Sequence, residues 1–260
     1  MDPIEIKRSN PISALIASIP HGSSQITPEM RENKKSDTLL ANNDWFLNEL
    51  YNFLAGLHIT VLSANYSRYV IDVNRDINIK HLNEEYTRSL IYQKSTFGKE
   101  IYDTPLVDEI ISNRIQTFYM PYHNHLSEEI DTALKENNRV FLLDLHSFYV
   151  QSAADVVLGT CEGKTCSKEF LYLVYNAFTS EGFVVRIDEK GLTGGYIVSH
   201  YGSLDNVEAI QIELRYTSYI ENREFGEEEV VKKNDTLFSE TQGRLIQVFK
   251  KIKVMIAGLN

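Results

Sequence analysis

The sequence predicts an α/β domain built on a mostly parallel sheet with helices on both faces. Short apolar and β-branched runs alternate with stretches whose apolar residues recur at helical spacing. Residues 140–145 form a near-continuous apolar run, as a strand buried on both faces requires. No linker, internal repeat or low-complexity segment interrupts the 260 residues, so the expectation is a single domain spanning 1–260. A domain of this size buries roughly 70–75% of its unfolded surface and needs no covalent staple.

The elements follow in order. The apolar run 12–19, stopped by Pro20, reads as a strand, and the polar segment 25–42 as a surface loop. Phe46, Leu47, Leu50, Tyr51, Leu54 and Leu57 recur at helical spacing, with Asn42 or Asn43 as N-cap. Residues 58–64 read as a strand and 69–73 as a second short one; 74–100 is mixed and reads as loops and short helix. Residues 105–119 and 122–137 look helical, broken at Pro121. After the strand at 140–145, a helix over 168–180, a strand over 183–187, a glycine-rich turn from Gly191 to Gly195 and a strand over 207–214 follow. An amphipathic helix over 241–257 closes the chain.

Composition excludes several classes. The net charge of −10 leaves no basic excess to displace phosphate counterions, so nucleic acid is not an expected partner. No stretch approaches the ~18–20 apolar residues of a membrane span, and the N-terminus lacks the apolar core of a signal peptide. Cys161 and Cys166 are too few for a disulfide framework or a structural zinc site, and read as reduced thiols. A cytoplasmic location is the expectation.

Two histidines and a glutamate stand where chemistry is expected. In open α/β sheets ligands bind beyond the carboxyl ends of the strands. His21 follows the first strand, His146 ends the strand begun at Val140, and Glu213 lies near the end of the strand begun at Val207. Strand periodicity puts Gln211 and Glu213 on one face and Ile210, Ile212 and Leu214 on the other. If the three strands are parallel neighbours, two imidazoles and a carboxylate gather at one edge. Catalytic zinc takes about three protein ligands and keeps one position open, and a carboxylate that does not ligate it can move the proton. Asp144, beside His146, is a candidate outer partner. The bland alternatives are histidines held in turns and a Glu213 paired with Arg215.

Five segments carry a resemblance. Pro20-His21-Gly22-Ser23, Tyr66 to Arg75 (Tyr-Ser-Arg-Tyr-Val-Ile-Asp-Val-Asn-Arg), Tyr119-Met120-Pro121-Tyr122-His123, Asp144 to Phe148 and Ala209 to Arg215 together resemble the N-formylglutamate amidohydrolase family, in its order. More distantly, His146-Ser147, Asn74-Arg75 and Glu213-Leu214-Arg215 look like pieces of zinc carboxypeptidases. The resemblance implies a three-layer α/β/α sandwich of zinc-carboxypeptidase type. It implies one zinc ion per chain, and hydrolysis of the amide of N-formyl-L-glutamate or a close N-acyl acidic amino acid. It makes His21 and His146 metal ligands and Glu213 the catalytic base. Carboxypeptidases place a glutamate three residues after the first histidine, where this chain has Ser24. The family's Asp-Trp pair falls on Asp44-Trp45, which offers Asp44 as the third ligand, although Asp at a helix start is stabilised by the dipole without any metal. Arg68, Asn74 and Arg75 are the expected substrate anchors, since a guanidinium matches a carboxylate bidentately; His123 and Tyr196 are further candidates for the pocket.

Other readings are weaker. Gly159 to Thr165 imitates a phosphate-binding loop but has three residues between its glycines where that loop needs four. No Gly-x-Ser-x-Gly elbow supports a serine hydrolase. The alternatives that stay open are a zinc carboxypeptidase, an amidase for another N-acyl amino acid or peptide, and a non-catalytic binding protein on the same fold.

Overall fold

The computed structural model describes residues 2–79 and 89–259. Its centre is a seven-stranded mixed sheet in the order β1-β3-β2-β4-β7-β5-β6. The strands are β1 (Ile4–Lys7), β2 (Leu15–Ile19), β3 (Thr60–Ala64), β4 (Val140–Phe148), β5 (Val156–Gly159), β6 (Val185–Ile187) and β7 (Val207–Arg215). β3, β2, β4 and β7 run parallel in the middle. β1 joins β3 antiparallel, and β5 reverses against β7. The sheet is therefore the mostly parallel one expected, with short antiparallel departures towards its edges.

Helices cover both faces. Those described are α1 (Pro28–Asn33), α2 (Leu47–Leu50), α3 (Asp108–Arg114), α4 (Met120–Glu136), α5 (Lys168–Ser180), α6 (Tyr196–Tyr201) and α7 (Asp235–Ile256). On one face, α2, α5 and α7 pack through Leu47, Leu50, Phe170, Phe178, Leu245 and Phe249 against Leu143, Leu145, Ile210 and Ile212. On the other, α1, α3, α4 and α6 pack through Met30, Ile111, Tyr122, Leu126 and Ile197 against Ile16, Leu142, Val140 and Ala209. The outcome is a three-layer α/β/α sandwich. Burying each such side chain stabilises it by about 1.5–3 kcal/mol. No described helix is long and apolar enough to cross a membrane.

Several local expectations are corrected. The loop over 25–42 contains α1: the Thr27 hydroxyl accepts from the Met30 N–H, Pro28 opens the helix, and Met30 is buried. The helix expected from 46 to 57 is α2 followed by turns and a 3₁₀ turn at Ala55–Leu57. Asn42 and Phe46 hold positive φ, so the chain bends where a cap was expected. Residues 69–73 form a turn in place of a strand, because Tyr69 and Val70 are buried by side-chain packing with no strand beside them. Pro121 does not break its helix. It sits in the first turn of α4, and a π-helical stretch, Ile115–Tyr119, carries the chain over from α3. The segment expected to be loops and short helix at 74–100 includes residues 80–88, which lie outside the described residues. Cys161 and Cys166 are free thiols.

Candidate metal centre and active site

Strand order settles the adjacency on which the site depends. β2, β4 and β7 are consecutive parallel neighbours, and His146 stands in register with Glu213, Asp144 with Gln211, and Ser18 with Asp144. Along β4 one face reads Val140, Leu142, Asp144, His146; along β7 it reads Val207, Ala209, Gln211, Glu213. The face is apolar where α4 and α6 cover it and turns polar towards the carboxyl ends of the strands. The expected edge of the sheet thus collects the expected groups.

Each imidazole is tied on its outer side. His21 Nε2 lies 2.7 Å from Asp72 Oδ1, and His146 Nε2 lies 2.7 Å from Asp144 Oδ2. A carboxylate there fixes a proton on Nε2 and turns the Nδ1 lone pair inward. Both Nδ1 atoms face Asp44 Oδ2, at 3.1 Å from His146 and 3.7 Å from His21. His21 Nδ1 is buried without a hydrogen-bond partner. Two acceptors in such contact repel unless a proton or a cation lies between them. His21, Asp44 and His146 offer ligand atoms that all lie within 4.8 Å of one another, and all three residues are buried. The donor set of two imidazoles and one carboxylate, with an orphaned inward nitrogen, fits a divalent metal that keeps an open position.

The electrostatics agree. Burial works to raise the Asp44 carboxyl, but the imidazoles of His146 and His21 outweigh it and hold it below the usual range. Burial likewise opposes the charged form of Asp72, which His21, Arg75 and Arg68 pull well below the usual value. Glu213 behaves oppositely. Burial pushes its carboxyl up to about 7, against the pull of His146. Gln211 Nε2 donates to Glu213 Oε1 at 2.8 Å, while Oε2 is buried without a partner.

A cavity of about 390 Å³ opens over these groups. His21, Asp44, His146 and Glu213 line it, together with Arg68, Asn74 and Arg75. Arg68 donates to Asp72 Oδ2 at 3.1 Å and to the Tyr92 hydroxyl at 2.9 Å. The Arg75 Nε lies 3.8 Å from the same Asp72 oxygen. Asn74 spans the site: its Nδ2 lies 3.2 Å from His146 Nε2, and its Oδ1 accepts from the Ile197 N–H at 2.8 Å.

Two expected pocket residues stand elsewhere. Neither His123 nor Tyr196 lines this cavity. Both His123 nitrogens are engaged, with the Val73 carbonyl at 2.9 Å and the Tyr201 hydroxyl at 3.0 Å, and burial pushes the imidazole down to about 4. His123 therefore braces α4 against the turn that carries Asn74, and Tyr196 packs edge-on against its ring. Ser24 lines a neighbouring cavity of about 660 Å³ that Asp44 also borders. Asp72 and Gln211 carry more of the site than their sequence positions suggested. Asp72 lies two residues before Asn74 and Gln211 shares the Glu213 face by strand periodicity; both also fall inside segments that carry the resemblance, which assigned neither a role.

Comparison with known proteins shows the family and the fold. A sequence model of N-formylglutamate amidohydrolase matches residues 13–220. An N-formylglutamate deformylase of Pseudomonas putida is 27% identical over 222 residues, 81% of this chain and 83% of that protein. One of Pseudomonas aeruginosa is 28% identical over 222 residues, 80% of this chain and 83% of its own length. A crystal structure of N-formylglutamate amidohydrolase from Ralstonia eutropha JMP134 shares the fold, with TM-score 0.81 and 22% identity, covering 99% of this chain and all 100% of that one. A gene product of Agrobacterium tumefaciens shares it with TM-score 0.72 and 17% identity, covering 99% and 97%. With 208 of its residues inside the family match and every segment of the inferred site within that span, the chain belongs to the N-formylglutamate amidohydrolase family.

Proposed function

We propose that this protein is a zinc-dependent amidohydrolase that converts N-formyl-L-glutamate, or a close N-acyl acidic amino acid, to the free amino acid and a carboxylic acid. The observation that carries the reading is the pairing of two inward Nδ1 atoms and Asp44 with a partly unpartnered glutamate in one cavity. His21, Asp44 and His146 would hold the zinc. Bound there, zinc would supply Lewis acidity towards the acyl carbonyl and would lower the pKa of its water to about 7.

The protein's own groups do the rest. Glu213 Oε2 takes a proton from the attacking water and delivers it to the amide nitrogen as the C–N bond breaks. A carboxyl pushed up to about 7 suits both directions of that transfer. Gln211 holds Oε1, so Oε2 is the oxygen left to move the proton. Arg75 and Arg68 orient substrate carboxylate and contribute proximity. Asp72 and Asp144 keep the two imidazoles in the tautomer that aims Nδ1 inward.

Metal analysis of the purified protein, followed by a panel of N-acyl amino acids with and without chelator, tests this. One equivalent of zinc and chelator-sensitive release of formate from N-formyl-L-glutamate are expected. Stoichiometric zinc with no turnover of any N-acyl amino acid identifies a binding protein on this fold and overturns the proposal.

A further inference from the structure

The three candidate ligands do not stand on equally firm backbone. His146 lies within β4, and His21 lies two residues beyond β2, both in the parallel centre of the sheet. Asp44 lies on irregular chain between Asn42 and Phe46, whose φ values of 60° and 62° residues with side chains seldom adopt. Such a segment keeps its shape only where its surroundings over-determine it. A metal ligand must nevertheless be held to within about 0.5 Å.

What holds it comes from the end of β7. Tyr216 and Tyr219 follow Glu213 at intervals of three, in and just after the 3₁₀ turn Tyr216–Ser218 that succeeds the strand. Both are buried, and neither lines the cavity. The Tyr216 hydroxyl donates to the Asn43 carbonyl, and the Tyr219 hydroxyl donates to the Trp45 carbonyl at 2.8 Å. Asn43 and Trp45 are the residues on either side of Asp44. A carbonyl only accepts, so the Tyr219 proton goes to Trp45, and the Ser147 hydroxyl, 3.0 Å away, is left to donate to the phenol oxygen. The Ser147 N–H donates to Asp44 Oδ2 at 3.3 Å, which joins this clamp to the carboxylate itself. From the other side, the Asn43 side chain donates to the Leu40 carbonyl at 2.7 Å and accepts from the Ser67 hydroxyl at 2.6 Å. The tyrosine turn is itself anchored, since the Thr241 hydroxyl of α7 donates to the Ser218 carbonyl.

We propose that Tyr216 and Tyr219 are positioning residues for the metal: together they hold the backbone of Asn43 and Trp45 so that Asp44 can serve as the third ligand. The inference rests on the metal centre proposed above. It makes zinc affinity depend on two hydroxyls that do not line the cavity, and it ties the third ligand to the strand that carries Glu213. A tyrosine that only fills the core behaves differently: conversion to phenylalanine lowers folding stability and leaves the metal affinity of the folded protein alone.

The test measures zinc affinity by competition with a chelating dye in the full-length wild type, Tyr216→Phe, Tyr219→Phe and Asp44→Ala, and in each tyrosine change combined with Asp44→Ala. Denaturant unfolding of the metal-free proteins, run beside it, separates stability from affinity. Each tyrosine change alone is expected to weaken zinc binding by about tenfold or more, the effect of losing a partner that orients a ligand. In the Asp44→Ala background, where the imidazoles alone hold the metal, the same change should alter affinity by less than about twofold, because residues that act through one group are not additive. Lower stability with unchanged zinc affinity in both tyrosine variants overturns the assignment, as does an equal loss with and without Asp44. If one variant does not fold, the other decides; if neither folds, the hydroxyls serve the fold and the assignment is overturned. Wild type that binds no zinc removes the metal centre and this inference together. Zinc loosened by the tyrosine changes in a protein that turns over no N-acyl amino acid upholds the positioning role and overturns only the proposed reaction.

Discussion

At the scale of single residues, the site depends on which atom of each side chain is occupied. Glu213 has one oxygen held by Gln211 and one buried without a partner. Glu213→Gln should keep full zinc content and lower kcat by about 10²–10⁴, measured by metal analysis beside steady-state kinetics. The same carboxyl gives a pH dependence. A base works only when deprotonated, so kcat/KM should fall as pH drops through the pKa of Glu213, about 7 in the metal-free protein and lower beside a bound cation. For stability the sign is the reverse of a salt-bridged acid. The folded value is raised above the unfolded one, so the folded state binds the proton more tightly. The contribution is therefore full at low pH and is lost as pH rises from about 4.5 to about 7. Metal-free Glu213→Gln should then be more stable than metal-free wild type at pH 8, on the order of 1–3 kcal/mol, and equal to it near pH 4. Denaturant titrations at the two pH values check this. The outer carboxylates act through the imidazoles. Asp144→Asn should weaken zinc binding by about 10- to 100-fold, read by competition with a chelating dye.

At the scale of elements, loops decide more of the site than helices do. The Gly191–Gly195 turn was legible as a turn, but its packing was not. A Cβ on Gly195 would meet the Asn74 amide, with Cγ at 2.6 Å, so the backbone must pass there without a side chain. Gly195→Ala should displace Asn74 from His146 and lower kcat/KM by about tenfold or more, since small misplacements are costly in a positioned site. Zinc content, measured in parallel, should stay intact. The helices misjudged from sequence share one cause. Propensity and spacing describe a segment in isolation, whereas α1 forms because Thr27 caps it and Glu29 pairs with Arg114, which is buried 85 residues away. The buried Arg114 also donates to the Val70 carbonyl at 3.0 Å and so holds the turn that leads to Asp72 and Asn74. Likewise Pro121 predicts a break only if the preceding turn is α-helical. A π-helical turn supplies the slack that lets the helix run through it.

At the scale of the whole molecule, the centre is a meeting of distant strands, so a metal bound there should bind only the folded chain. Zinc should then raise the melting temperature and chelation lower it. The effect is about 2.7 kcal/mol of added stability at a hundredfold excess over Kd, followed by calorimetry with and without chelator and zinc. Which strands exist was legible where the runs are apolar and long: β2, β4 and β7 lie where composition puts them, because burial on both faces leaves polar residues few positions. That His146 and Glu213 stand near the carboxyl ends of such strands was legible too, although β4 runs on past His146 to Phe148. The sequence by itself therefore determined the α/β class, the strands that carry the site, and the candidates His21, His146 and Glu213. Asp44, Arg68 and Arg75 entered through motif resemblance, because nothing in their local spacing distinguishes them from helix-start and surface residues. Only the tertiary structure decided the neighbour order β2-β4-β7, the meeting of both Nδ1 atoms at Asp44, and the placement of His123 and Tyr196 outside the cavity lining. The meeting of these groups is made across long sequence separations, by packing free energy that no short stretch of chain contains.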